Sequence, residues 1–158
     1  MAVGARPFLI AYNINLASTD VELAKRIARR VRESGGGLPK VQANGFWIEE
    51  LRRAQVSMNL LDFTVTPLWL VWETVRDVAA EDGVELAESE LIGLAPLAAV
   101  LAVADRAGSP SDLAIEHRLS QAAAYLRLRD FSPMQALELR LEAARSGGPT
   151  DRGEDRGR

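Results

Sequence analysis

Two segments of this chain alternate apolar with hydrogen-bonding side chains at a period of two: Ala11-Tyr12-Asn13-Ile14-Asn15-Leu16 and Gln55-Val56-Ser57-Met58-Asn59-Leu60. Successive side chains of a strand point to opposite faces. Phe8, Ile10, Tyr12, Ile14 and Leu16 therefore share one side of the first strand, and Asn13 and Asn15 share the other. In the second, Val56, Met58 and Leu60 oppose Gln55, Ser57 and Asn59. If both strands join one sheet, one face is sealed by apolar packing and the other carries a cluster of amides. A solvated surface has little need of such a cluster, so the polar face is the candidate ligand or partner surface.

The rest of the chain supplies partners for these strands. Residues 7–16 read as the first strand, and Thr19 and Glu22 stand at capping-box spacing ahead of a helix running to about Glu33. Its core stripe is Leu23 or Ala24, Ile27, Ala28 and Val31, with basic residues on the remaining faces. Gly35-Gly36-Gly37 and Pro39 form a turn; no Lys-Ser/Thr opens a helix behind them, so they are no phosphate cradle. Strands follow near 41–49 and 54–62. Thr66 reads as the N-cap of a second helix with Pro67 in its first position, and that helix stops at Gly83. A strand near 84–92 completes the order strand, helix, strand, strand, helix, strand. This predicts an α+β fold, a ferredoxin-like split βαββαβ antiparallel sheet with two helices on one face. Beyond Pro96 a C-terminal helical extension is expected, with helices to about Arg106, over 111–128, and after Ser132-Pro133. The expected organisation is a sheet domain over 1–106, the extension over 107–145 and a disordered, Gly-rich and charged tail over 146–158.

Composition narrows the function classes. Nineteen basic against 22 acidic residues give a net charge of −3, which argues against a dedicated nucleic-acid binder. With no cysteine, disulfides, thiolate metal sites and thiol nucleophiles are excluded, and one histidine cannot build a metal site or a triad. The longest apolar run, Leu91 to Ala104, is too short to span a bilayer and is interrupted by Pro96. No basic-then-apolar leader opens the chain, so a soluble cytoplasmic protein is expected.

Several ordered stretches are more specific. Val3-Gly4-Ala5-Arg6-Pro7-Phe8-Leu9-Ile10 continues into the first strand. Leu38-Pro39-Lys40-Val41-Gln42-Ala43, Ala54 to Phe63, Thr66-Pro67-Leu68 and Ser89-Glu90-Leu91-Ile92-Gly93-Leu94-Ala95-Pro96 follow. Together these resemble, in order, the C-terminal subdomain of the glutamate formimidoyltransferase (formiminotransferase) family. The resemblance covers about residues 3–104 and resumes at Asp130-Phe131-Ser132-Pro133 and Gln135-Ala136-Leu137-Glu138. It implies two ferredoxin-like subdomains facing each other across a folate cleft. It also implies formimino transfer from N-formimino-glutamate to tetrahydrofolate, the co-substrate, in histidine degradation. The family's catalytic histidine lies in the N-terminal subdomain, and His117 stands outside the matching stretches. The chain is thus expected to form one wall of the cleft and to be inactive without an N-terminal partner subdomain.

No catalytic residue is assigned on this reading. Asn13, Asn15, Gln55, Ser57 and Asn59 are the candidate folate-binding residues, because amides supply both donors and acceptors to a pterin ring. Arg6 and Lys40, at strand edges, could pair with glutamate carboxylates. On the fourth strand Leu86, Glu88, Glu90 and Ile92 share a face; Glu90 could hold the cationic formimino group or move a proton, while Glu88 reads as a solvated acid. Trp69, at the rim of its helix's core stripe, suggests packing on the extension or a partner contact. The alternative reading is a stand-alone ferredoxin-like module that uses its open sheet for binding or for homodimerisation, without catalysis. Single-stranded RNA binding would need stacking aromatics where the two central strands carry amides.

Overall fold

The alternation over residues 10–16 is realised as a central strand, β1 (Ile10–Leu16), in the computed structural model, which describes residues 8–146. The order continues with α1 (Val21–Val31), β2 (Val41–Ile48), β3 (Arg53–Leu60), α2 (Leu68–Glu81) and β4 (Leu86–Ile92). The strands form one antiparallel sheet in the order β2-β3-β1-β4. This is the predicted split βαββαβ arrangement. Ile10, Tyr12, Ile14 and Leu16 are fully buried, packed with Val56, Met58 and Leu60 of β3 against Leu23, Ile27 and Val31 of α1 and Leu68, Val71 and Val75 of α2. The Tyr12 hydroxyl has no hydrogen-bond partner among the described residues, and burial pushes its ionisation far above the usual tyrosine range.

Local chemistry moves several predicted boundaries. Helix α1 is capped by Asp20, whose carboxylate accepts from the Leu23 N–H at 3.2 Å, rather than by Thr19. It ends at Val31, and Glu33–Gly35 form a separate 3-10 turn. Thr66 does not cap α2. Its hydroxyl donates to the Pro39 carbonyl at 2.6 Å, tying the two connections together, and Pro67 becomes the N-cap. In β4, Asn15 lies opposite Glu88 but Leu16 opposite Leu86, so the register slips by one residue. This bulge turns Leu86 onto the core face, 3% exposed, where strict alternation had grouped it with Glu88 and Glu90.

The C-terminal extension joins both the helical layer and the sheet. Helices α3 (Leu97–Arg106) and α4 (Ile115–Tyr125) add to the helical side. There the Arg106 guanidinium stacks 4.5 Å over the Trp69 ring and makes two hydrogen bonds, of 2.9 and 3.0 Å, to Glu73. Tyr125 donates to the same carboxylate at 2.8 Å. Trp69 is therefore a docking point for the extension. Helix α4 is shorter than the predicted 111–128, because Arg127, with φ 49°, turns the chain. The strip that follows pairs in parallel with β4: Ser89 donates to the Arg127 carbonyl, and the Arg129 N–H donates to Ser89, each at 2.9 Å. The last predicted helix is divided. Ser132 caps a 3-10 turn at Pro133–Gln135, Ala136 extends to bridge Ala95, and α5 (Leu137–Ser146) begins afterwards. Arg145 and Ser146 thus belong to a helix, and residues 147–158 lie outside the described residues.

Two expectations follow from this packing. A Cβ at Gly45 would stand 2.4 Å from the Lys25 backbone nitrogen and 2.6 Å from the Ala24 carbonyl carbon. Gly45→Ala must push α1 off β2, and should cost about 1–3 kcal/mol in urea denaturation. The second concerns acid. Hydrogen bonds from Arg106 chiefly, helped by Tyr125, hold the Glu73 carboxyl below the usual range despite burial. Such a group contributes stability that is present above its unfolded-state value and is lost as pH falls through the lower folded value. Near-ultraviolet circular dichroism of the Trp69–Tyr125 region should therefore weaken as pH falls below the ordinary carboxylate range and through the lowered Glu73 value. Glu73→Gln should remove that acid dependence; an identical acid midpoint in the variant would refute the assignment.

Candidate functional site on the open sheet face

With both crossover helices on one side, the opposite face of the sheet is left for the alternate residues of all four strands. The register arranges them in rows. One row reads Asn44, Ser57, Asn13, Glu90 across β2, β3, β1 and β4; a second reads Gln42, Asn59, Ala11, Ile92; a third reads Phe46, Gln55, Asn15, Glu88. At the usual strand spacing each row spans about 14 Å. The five amide and hydroxyl residues predicted from β1 and β3 therefore do share one face, and Glu90 joins them.

The rows differ in how far their polar atoms are already engaged. In the third row Gln55 donates to Asn15 Oδ1 at 2.8 Å, and Asn15 donates to Glu88 Oε1 at 3.2 Å. Asn15 is fully buried and Gln55 only 6% exposed. Glu88 also lies 3.6 Å from the Arg129 guanidinium, so it is a network member and not the free solvated acid the sequence suggested. By contrast Asn13, Asn44, Ser57, Asn59, Gln42 and Glu90 make no side-chain hydrogen bond to any described residue. Their donors and acceptors are available to something placed on the face. Asn13, Ser57, Asn59 and Glu90 are half-buried, and Gln42 and Asn44 exposed.

A groove of about 780 Å³ runs from this face around the β2 edge to the end of α1. Gln42, Asn44, Phe46, Ser57 and Asn59 line it, with Arg32 at its far side. Ser57 and Asn59 are thereby brought to the groove, whereas Asn13, Asn15 and Gln55 sit on the same face outside its lining. Lys40 precedes β2 with an exposed side chain and also stands outside that lining. Its N–H donates to Glu33 at 2.9 Å, and its charge adds to the Thr64 hydrogen bonds that hold the Asp62 carboxyl below the usual range. Arg6 lies outside the described residues. Among the described residues no three His, Asp or Glu side chains converge as metal ligands, and no helix is long and apolar enough to cross a membrane.

Sequence reasoning missed several members of this face. Gln42 and Asn44 were readable, since Val41-Gln42-Ala43-Asn44 alternates like the two chosen strands. Arg53, one residue ahead of the strand expected from 54, opens β3 and faces the same way as Gln55 and Ser57. Arg129 carried no local signal, because it reaches the sheet only through the pairing of its strip with β4.

Comparison with known proteins gives this geometry a context. The profile of the formiminotransferase domain matches residues 11–142. Formimidoyltransferase-cyclodeaminase of Gallus gallus is 42% identical over 159 residues, covering 95% of this chain and 29% of that protein. Glutamate formimidoyltransferase of Thermoplasma acidophilum is 37% identical over 142 residues, covering 90% of this chain and 41% of its own length. The Rattus norvegicus formimidoyltransferase-cyclodeaminase is 43% identical over 148 residues, covering 88% and 27%. The chain thus spans well under half the length of these relatives.

The contrast between engaged and free amides predicts opposite behaviour for neighbouring asparagines. Asn15→Ala strands the buried Gln55 amide and should cost about 1–3 kcal/mol in denaturant unfolding. Asn13→Ala, with no internal partner to strand, should change stability by less than about 0.5 kcal/mol.

Proposed function

The chain belongs to the formiminotransferase family, and we propose that it supplies the C-terminal wall of a folate cleft for formimino transfer from N-formimino-glutamate to tetrahydrofolate. The observation that carries this reading is the row Asn44, Ser57, Asn13, Glu90, whose side-chain polar atoms take no hydrogen-bond partner among the described residues. A pterin ring and its amide linker present donors and acceptors at fixed positions, and neutral amides can meet both. The exposed apolar groups Phe46 and Ile92, 48% and 45% accessible, flank the polar row and suit the faces of flat rings.

The residues would divide the work. Asn13, Asn44, Ser57 and Asn59 orient the folate, with Gln55 and Asn15 forming a fixed floor beside them. In the transfer, the folate amine attacks the formimino carbon and the glutamate amine leaves. The donor is a cationic amidine, and Glu90 in the free row is placed to balance that charge or to accept a proton from the attacking amine. Lys40 and Arg6 remain candidates to pair with the glutamate carboxylates. The family's catalytic histidine would come from an N-terminal subdomain facing this sheet. A cytoplasmic setting in the degradation of histidine accords with this chemistry and with the absence of cysteine.

The test is formimino transfer with this chain, with a separately expressed N-terminal subdomain, and with the two mixed. Activity in the mixture alone is expected. In that mixture Asn13→Ala and Asn59→Ala should each weaken tetrahydrofolate use by about tenfold, the worth of one lost hydrogen bond in a desolvated site. A folded chain that gives no transfer in any combination would move the assignment to a binding or dimerisation module.

A further inference from the structure

The third row has a direction built into it. An ionised carboxylate only accepts hydrogen bonds, whereas each amide can both donate and accept. Glu88 Oε1 therefore requires the Asn15 NH₂ group to point towards β4, as it does at 3.2 Å. Asn15 Oδ1 is then turned towards β3, where it receives the Gln55 NH₂ at 2.8 Å. Every link is oriented by the one before it. The amide atom left over is Gln55 Oε1, which takes no hydrogen bond from the described residues.

The carboxylate that starts this chain of orientation is itself held from outside the sheet domain. Arg129 reaches Glu88 Oε1 at 3.6 Å because its strip pairs with β4 through Ser89. Asp130 lies 3.6 Å from the other side of the same guanidinium and limits where it can turn. Both Glu88 and Arg129 keep about a third of their side-chain surface, so water can reach the pair, while Asn15 has none. A neutral side chain at 88 could donate as well as accept, and nothing else in the row would then prevent both amides from rotating by half a turn.

We propose that Glu88, steadied by Arg129 from the C-terminal extension, is a positioning residue that sets the donor–acceptor polarity of the Gln55–Asn15 row. Gln55 thereby presents its carbonyl oxygen, and the row accepts an N–H group of the bound ligand. The ligand half of this statement rests on the folate reading above; the polarity half does not. A pterin, which offers ring N–H and amino donors on one edge, has the complementary chemistry. The role assigned to Arg129 also makes the extension part of the site.

The experiment is side-chain amide NMR on the ¹⁵N-labelled full chain, with Asn15 and Gln55 assigned by Asn15→Asp and Gln55→Glu. In the wild type both NH₂ groups should be shifted from free-amide positions and protected from solvent exchange. Glu88→Gln should move both signals together and speed their exchange by about tenfold, while the Asn13 amide stays in place. Arg129→Ala should reproduce part of the change, and Arg129→Lys should restore it. Arg129 is surface-accessible, so this pair still reads the network if Glu88→Gln fails to fold. Unchanged Asn15 and Gln55 signals in both Glu88→Gln and Arg129→Ala would overturn the proposal. Tetrahydrofolate titration of the chain mixed with the separately expressed N-terminal subdomain, which supplies the other wall of the cleft, separates the two readings. Amides that respond to Glu88→Gln, together with wild-type binding weakened about tenfold in that variant, support both halves. Responding amides in a wild type that binds no tetrahydrofolate uphold the polarity and overturn the folate ligand.

Discussion

The register of β1 against its two neighbours is the constraint on which the rest of the molecule depends. β1 is paired along its length on both sides, to β3 and to β4, and its even-numbered side chains are fully buried. Because side chains alternate, a slip of one residue would exchange Ile10, Tyr12, Ile14 and Leu16 for Ala11, Asn13 and Asn15 in the core. The apolar side thus holds the amide side in place. It also determines which residues meet across strands, and so makes Asn13 a neighbour of Ser57 and Glu90, and Asn15 a neighbour of Gln55 and Glu88. The site needs no separate device to assemble it.

That dependence explains what could be read from the sequence and what could not. The order of elements and the grouping of Asn13, Asn15, Gln55, Ser57 and Asn59 on one face follow from periodicity, a local property. The same rule failed at Leu86, because a bulge between Asn15 and Leu16 resets the alternation, and a single extra residue in a strand leaves no mark on apolar spacing. It was silent on Arg129, whose position depends on a pairing 40 residues away in the chain, Ser89 with Leu128 and its neighbours. Hydrogen-bond partnership was likewise invisible. Asn13 and Asn15 look alike in sequence, yet one is engaged at both ends of its amide and the other has no partner among the described residues.

The extension turns out to serve two layers at once. Through Arg106, Tyr125 and the carboxylate of Glu73 it grips the outer face of α2, with Arg106 lying over Trp69. Through Arg127 to Arg129 it lengthens the sheet beyond β4. Glu73 is only 14% exposed, so its three hydrogen bonds offset a real desolvation cost, and any disturbance of α3 or α4 would be felt there first. The same helices that add core on one side therefore control which side chain flanks Glu88 on the other.

An open sheet face is costly to maintain unless something uses it, since apolar groups such as Phe46 and Ile92 stand on it in water. Here they bracket a polar centre of two kinds, a fixed row of Gln55, Asn15 and Glu88 and a free row of Asn44, Ser57, Asn13 and Glu90. A protein partner alone could be met by a dry apolar patch. A small ligand alone would need more enclosure than one flat sheet provides. A face with apolar flanks, unpaired amides at the middle and a preoriented amide row beside them answers both demands together. The flanks can bury against a second wall, and the centre can hold a flat, hydrogen-bonding molecule between the two.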